Sequence, residues 1–186
     1  MSSDSLIDQI IQAHILTCPL LTPLRDAAQQ MAEARCSSIL VVDGGEVVGI
    51  WTEQDALKVD FSNPEMLRAP ISGLMSSPVK TIHNKTPLGE AAIRFREEGV
   101  RHFLVIDDGA HKGIITQSDV VMNQGIEYFI ALREVKSVLK RNHLALHESA
   151  LLGEAVNLMR HGGFDAVTVK YEDASYGILT ERDVVR

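Results

Sequence analysis

The stretch Gly49-Ile50-Trp51-Thr52-Glu53-Gln54-Asp55 occurs three times in this 186-residue chain. Its second copy is Gly113-Ile114-Ile115-Thr116-Gln117-Ser118-Asp119, and its third copy is Gly177-Ile178-Leu179-Thr180-Glu181-Arg182-Asp183. The copies start at 49, 113 and 177, so each begins 64 residues after the one before it. The same offset aligns Thr22-Pro23-Leu24 with Thr86-Pro87-Leu88 without a gap. A constant offset of this kind indicates three copies of one structural unit.

Hydrophobic periodicity predicts the order β-α-β-β-α in each unit. A helix face is marked by the i, i+3, i+4, i+7 spacing of Leu24, Ala27, Ala28 and Met31. Apolar runs on either side of an Asp/Gly turn, Ile39 to Val42 and Val47 to Trp51, predict two paired strands. In repeat one Thr22 is predicted to cap the first helix and Pro23 to begin it. An extended segment comes before this helix in the unit, as Val79 to Ile82 does in repeat two. Thr-x-x-Asp begins the second helix.

The repeat period sets the predicted boundaries. We expect an amphipathic N-terminal helix over 1–13 that caps the first repeat, repeat one over 14–74, repeat two with a linker helix over 75–138, and repeat three over 139–186. One unit is too small to bury both faces of its sheet, so repeats one and two are predicted to pair. Repeat three, over 139–186, is shorter than the 64-residue period and is therefore incomplete. We therefore expect the chain to be the N-terminal part of a longer protein, and the unpaired third repeat to form a two-fold dimer with a second chain.

Composition excludes several classes of protein. At 45% hydrophobic residues the chain can bury a core, and its net charge of −7 argues against a nucleic-acid-binding surface. The sequence contains no run of 18 apolar residues and does not begin like a signal peptide. Two cysteines cannot form a disulfide framework, so we expect a cytoplasmic protein. Motifs of catalytic nucleophiles, nucleotide-phosphate loops and metal sites are absent from the sequence, which predicts no enzyme and no metal.

The repeat and its closing Gly-hydrophobic-x-Thr-x-x-Asp resemble the CBS domain, named after cystathionine β-synthase. The match is closest from Met75-Ser76-Ser77-Pro78-Val79 through Gly99-Val100-Arg101-His102-Phe103 to Asp119, and it covers almost all of the chain after residue 14. The resemblance implies an α/β fold of tandem CBS repeats, with repeats one and two as a pseudo-two-fold CBS pair and the third incomplete. It also implies a regulatory module whose cleft between repeats binds an adenosine-containing ligand such as AMP, ADP, ATP, NADH or S-adenosylmethionine. No cofactor is implied as a requirement.

Two linker segments are similar to a narrower group of proteins. Asp60-Phe61-Ser62-Asn63-Pro64-Glu65 and Gln124-Gly125-Ile126-Glu127-Tyr128 are similar to segments in the sensory CBS regions of bacterial cyclic-di-GMP signalling proteins. In those proteins a diguanylate cyclase or phosphodiesterase domain follows the sensor. The similarity implies a downstream effector of this type as the partner of the module.

Thr-x-x-Asp has both a structural and a ligand-binding interpretation. Its spacing is that of a capping box, in which the hydroxyl and the acid satisfy backbone N–H groups at the start of a helix. The resemblance also implies that the threonine contacts phosphate and that the acid accepts from ribose hydroxyls. These ligand roles fall on Thr52, Asp55, Thr116, Asp119, Thr180 and Asp183.

Repeat two is the best candidate for a ligand site. It adds the cationic Arg101 and His102 at the start of a strand, and Val79 and Thr81 on the segment that lines the base pocket in the family. Repeat one offers the hydroxyls of Thr17 and Ser38 in the aligned region and no cation, and repeat three has an acid, Asp165, where phosphate would lie. The alternative is a ligand-free dimerisation scaffold.

Overall fold

A three-stranded sheet forms the centre of each repeat in the computed structural model, which describes residues 5–60, 63–123 and 145–185. The first strand of each sheet runs parallel to the second, and the second pairs antiparallel with the third. The order β-α-β-β-α is confirmed in all three repeats. The linker helix predicted within 75–138 and the segment Gln124–Tyr128 lie outside the described residues.

The elements of repeat one are β1 (Thr17–Pro19), α1 (Leu24–Ala34), β2 (Ser38–Asp43), β3 (Glu46–Thr52), α2 (Glu53–Ala56) and α3 (Pro64–Arg68), followed by a 3₁₀ turn (Ile71–Gly73). The elements of repeat two are β4 (Thr81–His83), α4 (Leu88–Glu98), β5 (His102–Asp107), β6 (Ala110–Thr116) and α5 (Gln117–Asn123). The elements of repeat three are β7 (Ala145–His147), α6 (Leu152–Gly162), β8 (Ala166–Lys170), β9 (Tyr176–Thr180) and α7 (Glu181–Val185).

One face of each sheet packs on the longer helix of its repeat. In repeat two, Phe103 and Ile115 are fully buried on β5 and β6, in one cluster with Ala91 and Phe95 of α4. The rings of Phe95 and Phe103 lie 4.6 Å apart between centroids. Alternate residues of a strand point to the same face, so the period of two in the strand and of about 3.6 in the helix bring the apolar sets together.

The longer helices begin one residue later than the sequence predicts. Pro23 has φ −58° and ψ 141°, an extended conformation, so it precedes α1 and does not occupy its first turn. The N–H of Leu24 donates to the carbonyl of Ala69, a partner outside the helix (2.9 Å). Pro87 has the same role before α4. Thr22 therefore does not cap α1, because the carbonyl of Ala69 accepts from the N–H group at the start of the helix.

The N-terminal segment differs from the helix predicted over 1–13. Among its described residues, Ile7–Ile10 form a single 3₁₀ turn, and Ile7 is buried in the core of repeat two and not against repeat one. The N–H of Ile7 donates to Thr86, and Gln12 pairs with Ile114 in both directions. These partners on repeat two replace the internal bonds that a longer helix would make.

The chain divides into two compact units. One consists of the N-terminal segment with repeat two, and the other contains repeat one, the segment up to Pro78 and repeat three. Inside the second unit, Arg182 of α7 forms an ion pair with Glu53 of α2 (3.0 Å), and Leu57 packs with apolar side chains of α6. Repeat three thus contacts repeat one through helices. The pairing of repeats one and two stays a prediction.

Candidate functional site

The start of β5 and the start of α5 meet at one end of the sheet of repeat two. His102 begins β5 opposite Thr116, the last residue of β6. The N–H of Gln117, the first residue of α5, donates to the carbonyl of Arg101 (3.0 Å). The same bond joins Glu53 to Ser37 and Glu181 to Asp165 in the other repeats. Each repeat therefore brings its predicted strand-start residues to its own Thr-x-x-Asp.

Thr-x-x-Asp forms the cap that its spacing predicts. In repeat two, Oδ2 of Asp119 accepts from the N–H of Thr116 (2.8 Å) and from its hydroxyl (2.6 Å), and the N–H of Asp119 donates to that hydroxyl (3.2 Å). Thr52 and Asp55 make the same three bonds in repeat one. In repeat three, Oδ2 of Asp183 accepts from the N–H and hydroxyl of Thr180. The cap uses mainly one carboxylate oxygen, and in repeats one and two the other oxygen has a different partner.

The second carboxylate oxygen distinguishes repeat one from repeat two. In repeat one Asp55 is only 7% exposed, and its Oδ1 accepts from Nζ of Lys58 (2.7 Å) and from the hydroxyl of Ser76 (3.5 Å). In repeat two, Nε2 of the exposed Gln12 lies 2.9 Å from both carboxylate oxygens of Asp119. An exposed neutral amide is easier to displace than the partners of a buried carboxylate that include a lysine. Asp119 is thus the more accessible acceptor.

Gln12 is a residue of this site that sequence reasoning missed. It lies 107 positions from Asp119, and no local pattern connects the two. The 64-residue offset does contain the signal, because it aligns Gln12 with Ser76, which contacts the equivalent acid Asp55 in repeat one.

The predicted pocket-lining residues lie on or just before β4, the edge strand of repeat two. Thr81 is exposed and pairs in parallel with Leu104, and the half-buried Val79 precedes it by two residues. The carbonyl of Thr81 accepts from Nη2 of Arg94 (3.1 Å), whose guanidinium also lies over the ring of Phe103 at 5.0 Å. Arg94, which sequence reasoning also missed, therefore fixes the edge strand to α4.

Arg94 also stabilises the ionised form of a neighbouring acid, Glu98. Its guanidinium donates to Oε1 of Glu98 (2.8 Å), and Nζ of Lys80 lies 3.5 Å from the other oxygen. The hydrogen bond from Arg94, with the positive charges of Arg94 and Lys80, lowers the pKa of Glu98 below its ordinary value. The acid remains ionised and keeps the arginine in place beside the edge strand.

The remaining predicted residues occupy the same positions in the other repeats. Thr17 begins β1 opposite Leu40, and Ser38 begins β2 opposite Thr52. In repeat three Thr180 is half-buried and Asp183 is exposed. In repeat two Arg101 and His102 are half-buried. The structure brings these side chains to one end of each sheet, and their contacts with a ligand stay a prediction.

One group of potential metal ligands occurs among the described residues. Atoms of His83, Asp107 and Asp108 lie within 4.8 Å of one another. Asp107 forms an ion pair with Lys112 (3.5 Å), and Nδ1 of His83 accepts from the N–H of Lys85 (3.2 Å). Both groups thus have protein partners already. Among all the residues that the structure describes, no helix has the length and apolar character to cross a membrane.

Known proteins share both the sequence pattern and the fold. The chain is 23% identical over 185 residues to an uncharacterized protein of Methanocaldococcus jannaschii, a match that covers 97% of this chain and 42% of that protein. The chain thus spans less than half the length of this relative. The crystal structure of protein MJ1225 from the same organism, described as a proposed archaeal homologue of γ-AMPK, has a TM-score of 0.77 and 22% identity, covering 97% of this chain and 71% of its own.

A further solved structure is that of the CBS domain pair of protein MJ0100 in complex with 5′-methylthioadenosine and S-adenosyl-L-methionine. Its TM-score is 0.57 at 24% identity, and the match covers 65% of this chain and 96% of that one. The sequence itself matches the CBS domain in three segments, residues 7–62, 71–124 and 135–186. With three matches that span most of its length and a fold shared with CBS-domain structures, the chain belongs to the CBS domain family.

Proposed function

We propose that this chain is a regulatory module that binds an adenosine-containing nucleotide at the sheet end of repeat two and transmits binding to an attached signalling domain. The observation that carries the proposal is the position of Asp119, a carboxylate covered by an exposed glutamine and lying at the same sheet end as Arg101. An ionised carboxylate can accept from both hydroxyls of a ribose, and a guanidinium can bind phosphate. The adenosine ligands bound to the CBS pair of MJ0100 support this class of ligand.

Differences among the repeats support the choice of repeat two. In repeat one, a ribose would have to displace the ion pair of Lys58 with the buried Asp55. In repeat three, Asp165 stands in the position of Arg101, and its negative charge would repel a phosphate. Repeat two combines an accessible acid with a cation.

Gln12 gives the proposed module a mechanism of response. A ribose bound by Asp119 would replace the amide of Gln12, and Gln12 belongs to the N-terminal segment docked on repeat two. The ligand would therefore favour arrangements in which that segment is loosened, and linkage makes the effect reciprocal. An attached domain, such as a diguanylate cyclase or phosphodiesterase, would respond to the shift. The proposal includes no catalytic step.

A thermal-shift titration tests this function. The ligands are AMP, ADP, ATP, NADH, S-adenosylmethionine and cyclic-di-GMP. A ligand present at about 100 times its Kd stabilises the folded protein by about 2.7 kcal/mol. For a chain of this size that corresponds to a rise of roughly 5–10 °C in Tm.

Two matched variants locate the site. Asp119→Asn keeps an acceptor oxygen for the cap and removes the charge, so the ligand-induced shift should disappear. Asp183→Asn makes the same change in repeat three and should leave the shift intact. The proposal is refuted if no ligand raises Tm, and the choice of repeat two is refuted if both variants behave alike.

A further inference from the structure

A group of potential metal ligands lies at the opposite end of the repeat two sheet from Thr116. His83 is the last residue of β4, and Asp107 is the last residue of β5. Asp108 follows Asp107 in the turn that leads to β6. One ring nitrogen of His83 and one carboxylate oxygen of each acid lie within 4.8 Å of one another. The group is therefore separate from the sheet end that we propose for the nucleotide.

The register of the sheet brings these residues together. β4 and β5 are parallel, and His83 pairs with Ile106, the chain neighbour of Asp107. β5 and β6 are antiparallel, and the pair of Asp107 with Ala110 closes a turn of two residues that begins with Asp108. Hydrogen-bonded ladders thus hold both segments in place before an ion binds. A site that is preorganised in this way loses less entropy on binding.

The donor set suits a divalent transition-metal ion. Zn²⁺ binds histidine nitrogen and carboxylate oxygen at about 2.0–2.2 Å, so its tetrahedral ligand atoms lie roughly 3.4 Å apart. His83 and Asp108 are exposed and Asp107 is half-buried, so small side-chain rotations can close the group to this spacing. One imidazole with two carboxylates satisfies such an ion and leaves a position for water.

The protein partners of the group can give way to an ion. Nδ1 of His83 accepts from the N–H of Lys85 (3.2 Å), so this nitrogen carries the lone pair that a metal needs. Nζ of Lys112 lies 3.5 Å from Oδ2 of Asp107, and these side chains are 47% and 24% exposed. An ion pair with this exposure contributes little to stability. A divalent ion would attract the two carboxylates more strongly than the single charge of the lysine does.

A buried acceptor without a partner lies next to the group. Asn84 follows His83, and its N–H donates to the carbonyl of Ile106 (3.0 Å), which places its backbone beside Asp107. The residue is 7% exposed, and its Oδ1 has no hydrogen-bond partner among the described residues. An ion or an ordered water is the usual explanation of such an atom. A hydrated ion on the neighbouring side chains supplies both.

Among the three repeats, repeat two alone combines these side chains. The 64-residue offset replaces His83, Asp107 and Asp108 with Pro19, Asp43 and Gly44 in repeat one, and with His147, Tyr171 and Glu172 in repeat three. Repeat one therefore lacks the imidazole, and repeat three lacks one acid. Nδ1 of His147 lies 2.9 Å from the hydroxyl of Ser149. His147 is thus a matched histidine for a control.

We propose that His83, Asp107 and Asp108 bind one divalent transition-metal ion of the zinc class, with water as the remaining ligand. The ion joins the end of β4 to the turn between β5 and β6. The proposal departs from the absence of a metal site predicted from the sequence, because the ligands come from two segments that no spacing motif connects. It does not depend on nucleotide binding.

Calorimetric titration of the metal-free chain with ZnCl₂ tests the site. The background carries Cys36→Ser, which removes the partly exposed thiol as a competing ligand. We expect one ion per chain. His83→Ala should raise the Kd by about tenfold or more, since loss of an outer-shell partner alone typically costs about 10–100-fold in affinity. His147→Ala should leave the Kd unchanged.

Two further variants test the charges of the group. Asp108→Asn removes an exposed ligand in a turn and should also raise the Kd for Zn²⁺. Lys112→Gln removes the competing ammonium and should lower this Kd by up to about fivefold. MgCl₂ should compete poorly, because Mg²⁺ prefers six oxygen ligands. Circular dichroism checks that each variant is folded.

Nuclear magnetic resonance provides the location. Substoichiometric Zn²⁺ should first shift the backbone amides of residues 83–85 and 107–110. Three results would each overturn the proposal: no saturable binding of Zn²⁺, a Kd that His83→Ala and Asp108→Asn both leave unchanged, or first shifts elsewhere in the chain. Equal weakening by His83→Ala and His147→Ala would overturn it as well, because binding would then not depend on this group.

Discussion

Substituting alanine for the motif glycine in each repeat should destabilise the chain in a defined order. In Gly113→Ala the new Cβ would lie 2.5 Å from the carbonyl oxygen of Gln12, a backbone atom that can move only if the segment moves. In Gly49→Ala it would lie 2.1 Å from Sδ of Met75, the end of a flexible side chain. In Gly177→Ala the nearest atom is the Tyr171 hydroxyl at 2.9 Å, also a side-chain end, and this tyrosine is exposed. We therefore expect the largest cost in repeat two.

The contacts of Gln12 set the magnitude. Moving its backbone away breaks the two hydrogen bonds that it shares with Ile114, each with a net contribution of about 1 kcal/mol. Gly113→Ala should thus lower the free energy of unfolding by about 2 kcal/mol, and by more if the buried Ile7 is also released. Gly49→Ala should lower it by about 1 kcal/mol after Met75 rotates. Gly177→Ala should change it by less than about 0.5 kcal/mol in the monomer.

Urea denaturation followed by circular dichroism measures these differences at a chain concentration low enough to keep the protein monomeric. Hydrogen exchange provides a local check, because the amides of Ile7 and Gln12 should lose protection in Gly113→Ala alone. If Gly113→Ala and Gly177→Ala unfold at the same urea concentration, the N-terminal segment is not docked on repeat two and the reasoning is wrong.

Three further predictions concern individual side chains. Glu98→Gln should lower stability by about 0.5 kcal/mol at neutral pH and leave it unchanged in acid. The pKa of Glu98 is lower in the folded protein than in the unfolded chain, so its ionised form stabilises the fold at pH values above the unfolded pKa. This stabilisation is lost as pH falls through the pKa of the folded protein, and urea denaturation at several pH values measures the loss. Burial raises the pKa of the Cys18 thiol, so a thiolate-specific reagent should modify the partly exposed Cys36 first and reach Cys18 only on unfolding, which mass spectrometry of the digest detects. Phe95→Ala should cost about 3–5 kcal/mol, measured as the loss in the free energy of unfolding, because it removes a buried ring packed against Phe103.

Each of these has a contradicting result. An effect of Glu98→Gln that persists in acid would show that its contribution is not ionic. Equal labelling rates for the two cysteines of the native protein would place Cys18 at the surface. A loss below about 1 kcal/mol for Phe95→Ala would mean that the cluster around it is loosely packed.

The repeats and their strands could be predicted from sequence because they rest on local periodicity. The apolar run from Phe103 to Ile106 and the helical spacing from Leu88 are properties of short windows, and the structure has a strand and a helix there. The cap of Asp119 on Thr116 is local as well. These features need no knowledge of what lies elsewhere in the chain.

The N-terminal segment could not be predicted in this way. Leu6, Ile7, Ile10 and Ile11 are spaced as on a helix face, but the backbone of this segment finds its hydrogen-bond partners on repeat two, some 80 to 100 residues away. Long-range partners of this kind override local propensity. The contacts of the two carboxylates could not be predicted either. Asp119 contacts Gln12 and Asp55 contacts Ser76, and no sequence motif connects either acid to its docked partner.

Docking of the first segment on the second repeat also orders events during synthesis. Ile7 and Gln12 leave the ribosome early, but their partners Thr86 and Ile114 follow only after repeat one has been made. Closing so long a loop is slower than forming local contacts. Until then the apolar start of the chain has no core to enter, and repeat two cannot complete its sheet edge. Residues 5–12 are therefore made well before the core that buries them and are among the last to become protected, which makes them a natural contact for a chaperone.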